Sequence, residues 1–335
     1  MFPSSAPDSL LSRARALAAA GAWDELRALL GGEPREAGAH PELVTLLAEA
    51  FLRTRYPRRA RTWLRRTLRR VERSGDRAAL RRAVNLSGAA YFELGELDEA
   101  RRDFSRALEL GREDADDLLV ARATNNLGLI ANIRGLHDAA LALYQLAVPS
   151  YQRLGHALGL AESYHNMAIS FRDSAQLERA DECERRAAEF AREAGNPRLA
   201  AMARVGRAEL SFRRGDAELA AAEARAAARQ FEAIGDPTQQ ADALRLRGVS
   251  SLALGRLDDA RVALDAAVEL ARTHGNALIE AESRRARAEC SAAAGEAARA
   301  RDDAERALAI FVHLGSEREA GELREWMRGG RADEG

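Results

Sequence analysis

A repeat with a period of about 40 residues constrains the fold of this chain more than any other feature of its sequence. Residues 121–147, ARATNNLGLIANIRGLHDAALALYQLA, carry small residues at Gly128 and Ala140, with Gly135 between them. The same skeleton returns as Gly88, Gly95 and Ala100 upstream and as Gly248, Gly255 and Ala260 downstream. Such a period is typical of stacked supersecondary units that each pack against their neighbours.

The repeat divides most of the chain into units. A first, shorter unit covers residues 7–40, and seven longer units of equal length begin near residues 41, 81, 121, 161, 201, 241 and 281. In those seven units the eighth and twentieth positions hold only glycine or alanine. Antiparallel helices approach closely only where the crossing positions carry little side chain, so each unit is predicted to be a helical hairpin. Glycines such as Gly135 and Gly155 predict left-handed turns at the helix ends.

Composition agrees with closely packed helices and excludes several classes of protein. Hydrophobic residues make up 47% of the chain but aromatic residues only 5%, which suits helices better than a sheet. The net charge of -1 favours neither a general polyanion binder nor an acidic buffer. Cys183 and Cys290 have no C-x-x-C spacing and are interpreted as reduced residues of a cytoplasmic protein. No secretion signal and no membrane span is predicted.

Motifs that carry catalytic chemistry do not occur in the sequence. The six histidines form neither an H-E-x-x-H motif nor a cluster with cysteine, and the glycines recur with the repeat instead of forming a phosphate loop. Glu113, Asp114, Asp116 and Asp117 are interpreted as a solvated loop beside a helix N-terminus. We therefore predict no catalytic, cofactor or metal site.

The recurring residues resemble the tetratricopeptide repeats, whose pattern is W-x2-L-G-x2-Y, then A-x3-F, then P. Leu127-Gly128 matches this pattern, as do the pairs Ala140 and Tyr144, and Ala100 and Phe104. The spacing of about 40 residues resembles the longer-helix subgroup found in cell-polarity scaffolds, kinesin light chains and the sensor regions of some bacterial transcription activators. The last three units depart from the pattern, with Arg207, Arg247 and Arg287 at the apolar seventh position.

The resemblance implies an all-α fold, a right-handed α-solenoid of about eight antiparallel helical hairpins that forms one domain over residues 1–328. Leu323, Trp326 and Met327 lie at i, i+3 and i+4, which predicts a C-terminal capping helix over residues 317–328. A docking helix for a partner is the alternative interpretation of this stripe. Residues 329–335 are predicted to be a flexible tail.

The resemblance also implies a concave groove, lined by positions 2, 5, 6, 9, 12 and 13 of the first helix of each unit. Carboxamides can donate and accept hydrogen bonds at once, which suits them to the backbone of an extended peptide, and arginine offers a fork for carboxylates. An alternative interpretation, compatible with the first, is that the asparagines bond each other between adjacent units. The predicted groove residues are Asn85, Arg122, Asn125, Asn126, Asn132, His165, Asn166, Arg172, Arg245 and Arg285.

A second charge feature lies between Arg53 and Arg82, where the sequence contains 13 arginines and only two acidic residues, Glu72 and Asp76. Six of these arginines crowd the polar side of one predicted helix: Arg61, Arg65, Arg66, Arg69, Arg70 and Arg73. Three interpretations are open: a solvated face with salt pairs, a surface for an acidic protein or for the acidic remainder of a second copy, and a nucleic-acid surface. The last lacks aromatic stacking platforms.

These observations predict a non-catalytic scaffold that holds a protein or peptide segment in the groove, with acidic segments among the candidates. The alternative is a ligand- or peptide-responsive regulatory protein that acts through a partner, because the repeat leaves no residues for a helix-turn-helix output module.

Overall fold

The computed structural model describes residues 7–32 and 34–332, and within them the chain forms 18 α-helices and no strand. The helices are α1 (Pro7–Ala19), α2 (Trp23–Gly32), α3 (Pro34–Ala39), α4 (Pro41–Arg53), α5 (Pro57–Ser74), α6 (Arg77–Glu93), α7 (Leu97–Glu113), α8 (Asp117–Ile133), α9 (His137–Arg153), α10 (Ala157–Asp173), α11 (Leu177–Glu193), α12 (Pro197–Arg213), α13 (Ala217–Ile234), α14 (Pro237–Ala253), α15 (Leu257–Thr273), α16 (Ala277–Ala293), α17 (Ala297–Leu314) and α18 (Glu317–Ala332). The predicted all-α fold of helical hairpins is confirmed.

The chain divides into two compact units, residues 1–156 and residues 157–335. Within each unit consecutive helices pack against each other, as in an α-solenoid. From α6 onward each hairpin consists of an even-numbered first helix and an odd-numbered second helix. Asp76, Asp116, Asn196, Asp236 and Asn276 cap first helices by accepting a hydrogen bond from a backbone N–H three residues later.

Small residues allow the two helices of a hairpin to touch, as the repeat predicts. An ideal Cβ atom added to Gly128 would lie 2.6 Å from the ring of Tyr144 on the second helix, and one added to Gly88 would lie 2.7 Å from Phe104. The alanines at the twentieth position of each repeat, such as Ala140 and Ala260, are fully buried or nearly so. The interior of these two hairpins therefore pairs a small residue with a large one, at the density usual in protein cores.

Two regions differ in detail from the sequence expectation. The sequence predicts a two-helix hairpin over residues 7–40, but Pro34 begins a third short helix, α3. The C-terminal helix α18 includes Leu323, which is 1% exposed in a cluster with Phe311 and Ala320. This helix continues through Ala332, into residues that the sequence assigns to the tail, and residues 333–335 lie outside the described part.

Candidate functional site

The first helices α6 and α8 carry three polar side chains without a partner among the described residues. Asn85 on α6 has a buried Oδ1 atom that accepts no hydrogen bond. On α8, Arg122 is exposed and has no described carboxylate within 4.0 Å, and the half-buried amide of Asn126 makes no hydrogen bond to a described residue. Helices α6 and α8 are in contact, so these groups lie on neighbouring elements of one unit. A buried amide oxygen without a partner costs free energy unless water or a ligand satisfies it.

His156, in the turn after α9, belongs to the same neighbourhood. Burial lowers the pKa of His156, and the positive charge of Arg122 lowers it further. The imidazole stacks on the ring of Tyr151 with 5.3 Å between the centroids. The neutral form of His156 is therefore favoured, and Arg122 supplies the positive charge of this surface.

The other two predicted groove residues of α8 are already engaged. Asn125 is 5% exposed and has an interaction within the protein. Asn132 accepts a hydrogen bond from Nδ1 of His137 across 2.9 Å, at the start of α9. These two side chains therefore offer less to a partner than Asn126 does.

In the second unit, His165 on α10 forms a buried pair with Glu184 on α11. Nδ1 of His165 lies 3.0 Å from Oε2 of Glu184, and the Glu184 side chain is 3% exposed. Burial alone would lower the pKa of His165, but the charge of Glu184 and its hydrogen bond raise it on balance. Burial raises the pKa of Glu184, and His165 offsets part of this rise. A Cβ atom at Gly206 would lie 2.1 Å from Oε1 of Glu184, so α12 closes over the pair.

In the second compact unit, residues 157–335, the predicted groove arginines form ion pairs with carboxylates on neighbouring first helices. Arg172 pairs with Glu209 of α12 across 2.7 Å. Arg245 pairs with Asp242 on its own helix and with Glu282 of α16 across 3.2 Å. Arg285 lies 3.4 Å from Glu322 of α18. These ion pairs link each hairpin to the next hairpin or, for Arg285, to the C-terminal helix α18. Asn166 of α10, which is half-buried, makes no hydrogen bond to a described residue.

Two of the three arginines that replace the apolar residue at the seventh position also form ion pairs between hairpins. Arg207 lies 3.5 Å from Asp181 of α11 and 3.4 Å from Glu223 of α13. Arg287 lies 2.8 Å from Asp265 of α15 and 2.6 Å from Asp303 of α17. Each of these arginines therefore joins the second helices of two hairpins. Arg247 is half-buried and has no carboxylate within 4.0 Å among the described residues.

The carboxylates that pair with the predicted groove residues were not predicted from the sequence. Glu184 stands at the twenty-fourth position of its repeat, where other units have residues such as Phe104, Tyr144 and Leu264. A lone acidic residue at an apolar position is a signal for a buried pair. Glu209 and Glu282 occupy groove positions, and applying the groove rule to every unit would have found them.

The six arginines predicted to form a cationic patch lie on α5. Arg65, Arg66, Arg69, Arg70 and Arg73 are exposed, and Arg61, which is half-buried, forms an ion pair with Glu96, the residue before α7. Arg70 donates to the carbonyl of Gly38 across 2.9 Å. The described residues contain no group of three or more His, Cys, Asp or Glu residues that could hold a metal ion. None of the described helices combines the length and the apolar character that crossing a membrane requires.

Comparison with known families identifies the repeat. The family model described as "Tetratricopeptide repeat" matches residues 79–152 and residues 119–193. Residues 79–193 of the chain are thus tetratricopeptide repeats, as the residue pattern predicts, and the hairpins on either side have the same architecture. A comparison with curated protein sequences found no match.

Solved structures share the fold at low sequence identity. A Rap protein complexed with Competence and Sporulation Factor is 16% identical with a TM-score of 0.64, and the match covers 99% of each chain. Aspartyl phosphate phosphatase F from Bacillus subtilis is 14% identical with a TM-score of 0.61, and the match covers 99% of this chain and 95% of that one. The APC/C hetero-tetramer Cut9-Hcn1 is 16% identical with a TM-score of 0.66 over 94% of this chain and 54% of that one. These likenesses concern the fold.

Proposed function

We propose that this chain is a non-catalytic scaffold that binds an extended protein or peptide segment on the first helices of its repeats. The observation that carries the proposal is the partner-free set on α6 and α8, namely Asn85, Arg122 and Asn126. Charged groups at other predicted groove positions, such as Arg172 and Arg245 of the second unit, are neutralised by carboxylates within the protein. Groups that the fold leaves unsatisfied are available to a ligand, and rigid helices limit the entropy lost on binding.

The chemistry of the three groups defines the ligand. Carboxamides such as that of Asn126 can hydrogen-bond both the N–H and the C=O groups of a peptide backbone. The guanidinium of Arg122 binds a carboxylate in bidentate geometry, and within the described residues no internal acid competes for it. A peptide with an acidic side chain next to an extended backbone satisfies both kinds of group.

A second candidate function is that of a peptide- or ligand-responsive regulator that acts through a partner. The likeness to a Rap protein complexed with Competence and Sporulation Factor favours it, since that match extends over 99% of both chains. Under this proposal the same groups on α6 and α8 would receive the effector. Effector binding would then change the affinity for the partner, and the partner would change the affinity for the effector by the same factor.

A displayed peptide library selected on the full chain tests the scaffold proposal. We expect the recovered peptides to be enriched in acidic residues and to bind Asn126→Ala about tenfold more weakly, because a buried hydrogen bond to the ligand is lost. Gln152→Ala is the matched control, since Gln152 is an exposed amide on the second helix α9. Recovery of acidic and basic peptides alike, with equal affinity for wild type and Asn126→Ala, contradicts the proposal.

A further inference from the structure

The turn before α5 and the polar side of α5 form an unpaired cationic surface in the first unit. It consists of arginines with no carboxylate within 4.0 Å in the described part of the chain, and we call it the arginine surface: Arg55, Arg58, Arg59, Arg65, Arg66, Arg69, Arg70 and Arg73. The other arginines between positions 53 and 82 are all paired with acids: Arg53, Arg61, Arg77, Arg81 and Arg82. The segment therefore contains arginines that pair with acids and arginines that do not.

Repulsion among the positive charges of the arginine surface is unfavourable in the isolated protein. Arg65 and Arg69 lie at i and i+4, as do Arg69 and Arg73, and like charges at that spacing destabilise a helix. The first turn of α5 contains Arg58 and Arg59 and no acidic residue, although the helix dipole favours acids there. The equivalent turns of α7 and α15 each carry two acids.

Packing does not require these side chains. The core-facing side of α5 is made by Ala60, Leu64, Thr67 and Val71, which are buried. Within the described residues, Arg70 is the one member of the arginine surface that hydrogen-bonds another element, donating to the Gly38 carbonyl. The charges of Arg58, Arg65, Arg66 and Arg69 are thus dispensable to the fold.

The length of the arginine surface and the residues around it favour some anionic partners over others. From Arg58 to Arg73 it extends roughly 22 Å along the helix, at 1.5 Å per residue. A nucleic-acid strand that continued past this length would meet a chain whose residues outside positions 53–82 carry a net charge of -12. The exposed aromatic ring of Tyr56 is already covered by Arg27 at 4.6 Å and Arg59 at 5.2 Å, so it is not free to stack on a base.

We propose that the arginine surface of α5 is a docking site for an acidic protein segment of about the length of this helix. Aspartate and glutamate side chains spaced along such a segment supply the bidentate carboxylates that the guanidinium groups lack. The segment would relieve the repulsion among the arginines when it binds. This surface lies on a second helix and is separate from the proposed peptide site on α6 and α8.

A binding experiment on the full chain tests the docking site with a polyglutamate peptide of about 20 residues, which as a helix spans roughly 30 Å. The test variant is Arg58→Gln/Arg65→Gln/Arg66→Gln/Arg69→Gln, none of which makes a side-chain contact with an acid. The matched control is Arg102→Gln/Arg185→Gln/Arg272→Gln/Arg306→Gln, which removes the same charge from arginines paired within their own helices. An oligonucleotide of equal charge, single-stranded and duplex, is the competing probe.

We expect wild type and the control to bind polyglutamate with affinity that falls as salt rises, and the test variant to bind about tenfold or more weakly. The melting temperature of the test variant should equal or exceed that of wild type, because repulsion is removed. Equal weakening by both variants overturns the proposal, since the effect then belongs to net charge. Tighter binding of the oligonucleotide than of polyglutamate to wild type also overturns it and indicates a nucleic-acid surface.

Discussion

At the scale of single residues, two asparagines on the same helix differ in whether their side-chain amides already have a hydrogen-bond partner among the described residues. The amide of Asn132 is held by His137, whereas Asn126, less than two helical turns earlier, has no partner among the described residues. The sequence places both on the first helix of the same repeat. It cannot separate them, because that depends on the position of an imidazole on the next helix.

Glycine at position 128, the eighth of its repeat, is a steric requirement that a single substitution can test. Gly128→Ala brings a Cβ atom to 2.6 Å from the Tyr144 ring, which is fully buried, and should lower the free energy of unfolding by about 1–3 kcal/mol. Gly321→Ala is the control, since nothing lies within 4 Å of a Cβ atom there and alanine favours a helix by up to about 1 kcal/mol. Denaturant titration measures both changes, and the same change in both variants would contradict the close approach.

The pair of His165 and Glu184 predicts a dependence of stability on pH. Both groups have pKa values raised by folding, so each contributes stability at low pH that is lost as pH rises through its folded pKa. For His165 the loss begins above its ordinary pKa of 6.5, where deprotonation leaves the buried carboxylate of Glu184 without its imidazolium partner.

Melting temperatures measured at about pH 6 and about pH 8 check this prediction. Wild type should melt lower at the higher pH, and the difference should shrink in Glu184→Gln, which carries no charge to compensate. A difference of the same size in that variant would show that other groups are responsible.

At the scale of the helix, a left-handed turn occurs at every half repeat, whereas glycine is present at most but not all of these turns. Every twentieth residue from 55 to 315 has a positive φ angle, and Arg55, Ala115 and Ala175 adopt it without being glycine. The sequence indicates turns only where glycine occurs. It does not reveal these three because the neighbouring helices, rather than the residue itself, impose the left-handed conformation.

Replacing Ala115 or Ala175 by glycine should therefore stabilise the protein. The φ angles of 51° and 58° are strained for alanine, and glycine removes a penalty of about 1 kcal/mol that its greater unfolded-state entropy only partly offsets. Ala194→Gly is the control, because Ala194 closes α11 with a φ angle of -74°. Thermal unfolding should show a gain for the first two variants and none for the control; a loss at all three would contradict the strain at these turns.

At the scale of the whole chain, the sequence predicts the architecture well and the site only in outline. The repeat period places the helices from α4 onward and the contacts between small and large residues, because both depend on the repeat itself. Which arginines remain free depends on carboxylates of other hairpins. Arg245 is bound by Glu282 of the next hairpin, and Arg122 has no such partner in the described part of the chain.

The central claim is that partner-free groups on α6 and α8 bind the ligand, whereas paired groups at other predicted groove positions stabilise the fold. The most direct test is the Kd of one selected acidic peptide for Asn85→Ala/Arg122→Gln/Asn126→Ala and for Arg172→Gln/Arg245→Gln. We predict that the first variant weakens binding about a hundredfold while the second leaves Kd within about threefold of wild type. Equal Kd values for the first variant and wild type, or a loss of binding confined to the second variant, would contradict the claim.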